Sequence, residues 1–181
     1  MSLPDKIFKP ERYTYKDYLL WKGDWELING YPFAMAPSPN RTHQWLSGKL
    51  IQIIRNELDE NYTKCNCQAY SELDWVIDND TVVRPDCMVV CGDFKEDYLT
   101  FAPSLIVEIS SRSTKLRDRN TKFNLYELKE VKYYIIANAE NKTAEIFELQ
   151  KGKYEPKTDT SFIFSNECVI TLDISTLWES M

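Results

Sequence analysis

The chain has 181 residues, of which 43% are hydrophobic and 28% charged, and its formal net charge is −6. This length and composition predict one globular domain over residues 1–181, with residues 1–12 as an N-terminal extension, and exclude a disordered chain. Charges interrupt every apolar segment, and the first residues lack the apolar stretch of a secretory signal. We therefore expect a cytoplasmic protein that makes no membrane contact.

The predicted elements alternate between helices and strands. In chain order they are a helix at about residues 14–22, a hairpin of WELIN and YPFAMA, a helix from Asn40 or Thr42 to about Glu60, strands in CNCQAYSELDWVI, TVVRPDCMVV and SLIVEIS, a helix at about residues 115–128, a strand in VKYYIIA, and a β meander closed by a short helix at about residues 175–179. Helical spacing of apolar residues predicts the helices, and alternating or continuous apolar runs predict the strands. This order predicts an α/β or α+β fold with a mixed β-sheet flanked by helices and a C-terminal β meander.

The five cysteines are an odd number, at positions 65, 67, 87, 91 and 168. The spacings Cys65-x-Cys67 and Cys87-x3-Cys91 invite a zinc interpretation, but the first is tighter than a usual zinc motif and the chain has one histidine. Reduced, mostly buried thiols are the favoured interpretation.

Two acidic residues interrupt apolar strands. Glu108 lies within the run LIVEI, where an ionised carboxylate is costly unless a cation or hydrogen-bond donors contact it. A solvated strand face or a structural ion pair explains this position as well as a functional site does. Asp86 follows Pro85 and leads into the apolar run CMVV, which indicates a bulge, a strand end or a plain edge strand.

Lys122 supplies a third element of a possible site. It is four residues from both Asp118 and Tyr126, so the three share one face of the predicted helix. An ordinary surface ion pair with Asp118 is the alternative, although the short connection after Glu108 should pack this helix on the sheet that carries both acids. Carboxylates can hold Mg²⁺, which activates water, and a lysine can orient that water or offset charge, so these residue types suit phosphodiester hydrolysis.

The same helical region is locally basic, although the whole chain is acidic. Residues 112–122 contain one acid and five cations, of which four are predicted to contact phosphates beside Lys122: Arg112, Lys115, Arg117 and Arg119. The chain has no phosphate-binding loop, dinucleotide fingerprint or nucleophile elbow, which excludes the enzyme classes built on them.

The run VVRPD, then IVEIS, then an RDxxxKxxxY pattern from Arg117 to Tyr126 resemble the Uma-two family. The upstream stretch WELINGYPFAMAPSPNRTHQ is similar to the opening of that family, so the resemblance covers roughly residues 13–178. The family belongs to the PD-(D/E)XK, restriction-endonuclease-like superfamily. The resemblance implies that fold and a Mg²⁺-dependent (or Mn²⁺-dependent) endonuclease acting on DNA, and cutting both strands would call for a homodimer.

The resemblance also implies roles for individual residues. Asp86 and Glu108 would be metal ligands together with the Ile109 backbone carbonyl. The lysine of the superfamily usually stands two residues after the glutamate, where this chain has Ser110, and Lys122 on the following helix would replace it. The remaining assignments are Glu26 as an accessory acid, Asp118 and Tyr126 as accessory residues beside Lys122, and His43 as a contact to phosphate or metal, with a helix-capping or core histidine as the alternative for His43.

Two other functions stay open. One is a catalytically silent nuclease-fold module that binds nucleic acid or a protein partner, and the other is an interaction protein that keeps the triad for stability alone. The intact set Asp86, Glu108 and Lys122 speaks against both, because unused buried carboxylates destabilise a fold.

Overall fold

The computed structural model describes residues 11–35, 40–111, 114–165 and 167–179. The α-helices are α1 (Tyr15–Tyr18), α2 (Arg41–Glu60) and α3 (Phe123–Leu128); a π-helical segment, Arg117–Lys122, leads into α3, and Ile174–Trp178 is a 3-10 helix. The strands are β1 (Trp25–Ile28), β2 (Tyr31–Ala34), β3 (Cys67–Ser71), β4 (Trp75–Asp78), β5 (Thr81–Val83), β6 (Cys87–Cys91), β7 (Leu105–Ser110), β8 (Tyr133–Asn138), β9 (Thr143–Gln150), β10 (Lys153–Lys157), β11 (Ser161–Ile163) and β12 (Val169–Thr171). Within these described ranges, each helix is too short or too polar to cross a lipid bilayer.

The strands form two main sheets and one separate hairpin. A four-stranded antiparallel sheet has the order β2-β1-β5-β4, and a six-stranded mixed sheet has the order β10-β9-β8-β7-β6-β3, in which β7 and β8 are parallel. The predicted mixed sheet flanked by helices is confirmed. The predicted meander divides in two, because β9 and β10 extend the six-stranded sheet while β11 and β12 pair with each other.

Two segments that the sequence predicts as single strands are each divided between the two sheets. The first becomes β3 and β4, with Glu72 between them at a φ of 52°, and the second becomes β5 and β6, with Pro85 between them. β3 pairs with β6 in the large sheet, whereas β4 pairs with β5 in the small one. Pro85 has no N–H to donate to a ladder, so the break lies where a ladder bond is hardest to make. Both segments therefore cross between the sheets at the same place, beside Asp86.

The six-stranded sheet is covered on both faces. All six residues of β7 are buried, which explains its continuous apolar run. The face that we call the α2 face carries Leu105, Val107 and Ile109, packed against the buried side of α2. The opposite, aromatic face carries Ile106 of β7 and Tyr134 of β8, and it packs against Trp75 of β4 and Tyr126 of α3.

The ends of the helices follow local signals. α2 begins after Asn40, whose side chain accepts a hydrogen bond from the His43 N–H at 2.9 Å, as an N-cap should. The first helix is shorter than predicted, since α1 ends at Tyr18, and beyond it Trp21 packs edge-on against Tyr18. The C-terminal helix is confirmed as the 3-10 turn Ile174–Trp178.

Four of the five cysteines are paired, so the prediction of reduced thiols is wrong for this structure. Cys65 is bonded to Cys168 and Cys67 to Cys91, whereas Cys87 is free and buried. The first bridge joins residues separated by 103 positions, which local spacing cannot reveal.

Candidate active site

The two acids of the predicted triad lie side by side on neighbouring strands. Cys87 of β6 is paired with Val107 of β7 in antiparallel register, so Asp86 lies opposite Glu108. The Ile109 N–H donates a hydrogen bond of 2.6 Å to Asp86 Oδ2, which fixes that carboxylate against β7. The structure thus brings together the residues that the resemblance implied as metal ligands, at the point where the two sheets diverge.

Glu108 is buried, with 4% of its surface exposed, and its carboxylate has two donors. Its Oε1 atom accepts hydrogen bonds from Lys122 Nζ at 2.8 Å and from the Tyr126 hydroxyl at 2.7 Å. Burial raises the pKa of Glu108 well above its ordinary value, Lys122 opposes this rise, and the nearby carboxylates of Asp86, Asp118 and Glu26 add to it. Of the two structural alternatives, the solvated strand face is excluded and the ion pair is present.

Lys122 bridges two acids from different sheets. Its Nζ atom lies 2.7 Å from Glu26 Oε1 on β1 and 2.8 Å from Glu108 Oε1 on β7. Burial would lower the pKa of Lys122, but the two carboxylates outweigh that effect and raise it. The predicted alternative of an ion pair with Asp118 is therefore replaced by a buried bridge that joins the sheets.

The π-helical segment Arg117–Lys122 explains how the lysine reaches this position. A π-helical turn inserts an extra residue in the helix and re-aims the side chains around it, and such turns are frequent at functional sites. The Tyr134 hydroxyl donates to the Asp118 carbonyl at 3.0 Å and anchors the segment to β8. Ser110, where the superfamily usually has its lysine, is buried, and its Oγ atom has no hydrogen-bond partner within the described residues.

Glu26 also holds backbone and side-chain donors from two further segments. It accepts the Arg84 N–H at 3.0 Å, and Arg117 Nη1 lies 3.3 Å from its Oε2 atom. Arg84 in turn pairs with Asp74 at 2.6 Å and with Asp24 at 2.8 Å. Sequence reasoning missed Arg84 as part of the site, although its place directly before Pro85 and Asp86 was a usable signal.

His43 and Asp118 complete the polar wall. His43 Nε2 lies 3.2 Å from Asp86 Oδ1, and this contact raises the pKa of His43 despite its partial burial. Burial raises the pKa of Asp118, which is 2% exposed. One oxygen of Asp118 and the Nδ1 atom of His43 have no hydrogen-bond partner among the described residues. The backbone N–H of His43 takes part in the cap of α2, whereas its ring contacts Asp86.

A cavity of about 340 Å³ opens over these groups. Its lining contains six carboxylates and three fixed cations. The acids are Asp24, Glu26, Glu72, Asp86, Glu108 and Asp118, and the cations are Arg84, Arg117 and Lys122. This excess of negative charge and the hard oxygen donors suit a divalent cation of the Mg²⁺ type. No group of three or more His, Cys, Asp or Glu side chains within the described ranges forms a ready-made metal cage. Asp86 and Glu108 with the Ile109 carbonyl are the donors that could hold such an ion.

The predicted phosphate-contacting cations have different surroundings. Arg117 pairs with Glu26 and lies over the ring of Phe33, and Arg119 pairs with Glu145. Lys115 is exposed, and Arg112 lies outside the described residues. Two of these four cations thus have an acidic partner.

Three comparisons with known proteins show the family and the fold of the chain. The Uma2 family, described as "Putative restriction endonuclease", matches residues 15–170. "Uncharacterized protein slr1290" of Synechocystis sp. (strain ATCC 27184 / PCC 6803 / Kazusa) is 29% identical over 133 residues, which are 69% of this chain and 65% of that protein. A crystal structure described as "a putative nuclease belonging to DUF820" from Anabaena variabilis ATCC 29413 has the same fold, with a TM-score of 0.70 over 91% of this chain and 98% of the other at 15% identity.

Proposed function

The chain belongs to the Uma2 family of restriction-endonuclease-like proteins, and from this premise we propose that it is a metal-dependent endonuclease that hydrolyses phosphodiester bonds in DNA. The observation that carries the proposal is the buried group of Glu108, Lys122 and Glu26 beside Asp86, at the floor of an acid-rich cavity. Buried carboxylates destabilise a fold unless cations or hydrogen-bond donors contact them, and a divalent ion would offset the excess of carboxylates in the cavity.

Asp86, Glu108 and the Ile109 carbonyl would hold one Mg²⁺ or Mn²⁺ ion. Bound there, the ion would lower the pKa of a water ligand and neutralise charge that develops on the phosphorus. The Ile109 N–H orients the Asp86 carboxylate through its 2.6 Å hydrogen bond. Tyr126 and Lys122 both donate to one oxygen of Glu108, which leaves the other oxygen of that carboxylate as the better ligand.

Lys122 would act next to the reacting phosphate. Its raised pKa keeps the amine protonated at neutral pH, so its role is to orient the attacking water and offset negative charge, rather than to remove a proton. Glu26 holds Lys122 in place from the opposite sheet at 2.7 Å. Arg117, which lines the cavity and pairs with Glu26, would contact a phosphate of the strand that enters the cavity.

The proposed substrate is DNA, and cleavage of both strands would require two such sites and hence a homodimer. The cations Lys115, Arg117 and Arg119 would follow the phosphate backbone, and Lys115 is the exposed member of this set. Sedimentation of the protein with and without a DNA duplex measures the oligomeric state.

The test is cleavage of supercoiled plasmid in the presence of Mn²⁺ or Mg²⁺. We expect nicking by the wild type and its loss in Asp86→Asn and Glu108→Gln, because each removes a metal ligand. Asp59→Asn, an exposed carboxylate near the C-terminal end of α2, is the matched control and should cut like the wild type. In parallel, divalent ions should raise the melting temperature of the wild type and of Asp59→Asn but not of Asp86→Asn.

Two results would contradict catalysis. If wild type and Glu108→Gln nick equally, the cleavage belongs to a contaminant. If DNA is bound but left intact at every metal concentration, and the two variants bind it equally, the protein is the silent binding module.

A further inference from the structure

Four sulfur atoms from three distant segments meet at one edge of the six-stranded sheet. Cys65 precedes β3, Cys67 lies in β3, Cys91 ends β6, and Cys168 lies just before β12. The structure joins them as two disulfides, Cys65–Cys168 and Cys67–Cys91. The two bridges touch, because Cys67 Sγ lies 3.8 Å from Cys168 Sγ. We call these four residues the sulfur cluster.

The fold brings all four side chains to the α2 face. Cys67 and Cys91 are register partners on adjacent antiparallel strands, so their side chains lie on the same side of the sheet. Cys65 is two residues before Cys67, a spacing that repeats the same side along an extended chain. Cys168 reaches them from the β11–β12 hairpin. Cys65 and Cys168 are buried, at 8% and 1% exposure, whereas Cys67 and Cys91 are partly exposed.

The spacing of the sulfurs suits a second kind of bonding. A tetrahedral zinc site with Zn–S bonds of about 2.3 Å has sulfur–sulfur edges of about 3.8 Å. The distance between Cys67 Sγ and Cys168 Sγ, two sulfurs that are not bonded to each other, has this value. In the disulfide form no group of three or more His, Cys, Asp or Glu side chains among the described residues could hold a metal ion, so four sulfur ligands become available only when both bridges are reduced.

We propose that the sulfur cluster of the reduced chain is a structural site for one Zn²⁺ ion. Each disulfide takes two electrons and two protons from a dithiol, which itself becomes a disulfide, and leaves two cysteine thiols. The four thiols then release four protons as their thiolates bind the ion. In a reducing compartment disulfides rarely persist, so this is the form that would maintain the cross-link there.

The ion would stabilise the fold and take no part in phosphodiester cleavage. The cluster lies beyond the C-terminal end of α2, where the Cys65 N–H donates to the Asn61 carbonyl, whereas His43 of the cavity lies near the start of that helix. A 20-residue helix is about 30 Å long, so the two sites are well separated. Zinc there would hold the β11–β12 hairpin against β3, as the disulfide to Cys168 does in the oxidised chain.

Cys87 provides an internal control. It lies on the same face of β6, paired with Ser71, but belongs to the core and forms no bridge. Zinc should therefore depend on four cysteines and not on the fifth.

The test uses the full chain, reduced anaerobically with a phosphine and incubated with zinc chloride. Elemental analysis after gel filtration should give one zinc per chain for the wild type and for Cys87→Ala, and none for Cys168→Ser or Cys67→Ser. Cobalt chloride in place of zinc should give the intense absorption of tetrahedral cobalt thiolate. Circular dichroism of each variant separates the loss of the ion from the loss of the fold.

A measurement on the wild type alone covers the case in which the variants do not fold. In the reduced wild type, zinc should protect four cysteines from alkylation, and mass spectrometry of the peptides should identify them as Cys65, Cys67, Cys91 and Cys168. The proposal is overturned if the reduced wild type holds no zinc, if alkylation is the same with and without the ion, or if both disulfides survive the reductant. Loss of plasmid cleavage with intact zinc binding would bear on the proposed nuclease activity alone.

Discussion

The two faces of the six-stranded sheet solve the same burial problem with different chemistry. On the α2 face, β7 contributes Leu105, Val107 and Ile109 to an apolar cluster that also contains the two disulfides. On the aromatic face the same strand contributes Glu108, which is nearly as buried but is paired with Lys122. Alternate residues of one strand thus serve an apolar core and a charged site.

The difference shows what each face requires of its partners. The α2 face needs only apolar partners of matching shape, since burial of apolar surface is favourable by itself. The aromatic face needs specific groups at hydrogen-bond distance from Glu108, because a carboxylate without a partner is costly to bury. We therefore expect substitutions on the two faces to respond differently to pH.

Lys122→Met should have the largest effect. It leaves Glu108 without its cation, and removal of one partner of a buried pair typically costs about 3–5 kcal/mol of unfolding free energy. Because the pKa of Glu108 is already raised, and rises further without Lys122, stability is lost as the pH rises through that pKa. Urea unfolding of both proteins should show a larger deficit at about pH 8 than at about pH 5.

The matched control for Lys122→Met is the double variant Lys122→Met with Glu108→Gln, which should recover part of the lost free energy because the unpaired charge is gone. A single deficit that does not change with pH, and no recovery in the double variant, would mean that Lys122 contributes only by packing.

Leu50→Ala tests the apolar face and should have the second largest effect. Leu50 on α2 is 1% exposed within the aliphatic cluster, and such truncations cost about 2–5 kcal/mol. No charge is uncovered, so the deficit measured by urea unfolding should be the same at about pH 5 and about pH 8. A pH-dependent deficit here would erase the contrast between the two faces.

His43→Gln should have the smallest effect on stability. Its effect should be larger at low pH than at high pH, the reverse of Lys122→Met. The contact with Asp86 raises the pKa of His43, so the stabilisation is full below the unfolded value of about 6.5 and is lost as the pH rises through the folded pKa. Because the ring is partly exposed, we expect less than about 1 kcal/mol. Melting temperatures of the two proteins should differ at about pH 5.5 and converge at about pH 9, and a difference that persists at the higher pH would argue for packing instead.

Local signals in the sequence predicted most of the elements. The N-cap Asn40, the hairpin turn at Gly30 and the continuous apolar run of β7 each depend on residues close together in the chain, and the structure has them as predicted. The choice of Glu108 and Asp86 as site candidates also came from the sequence, because an ionised acid inside an apolar strand is costly to bury unless a cation or hydrogen-bond donors contact it.

Only the tertiary structure decided which distant groups meet. Lys122 was predicted to belong with Glu108, but its second partner, Glu26, lies in another sheet, and the role of Arg84 follows from the crossing between the sheets beside Pro85. The bridge from Cys65 to Cys168 contradicted the prediction of free thiols for the same reason. Spacing along a chain fixes the contacts within a helix or hairpin, whereas contacts between segments far apart depend on how whole sheets pack, which no local pattern encodes.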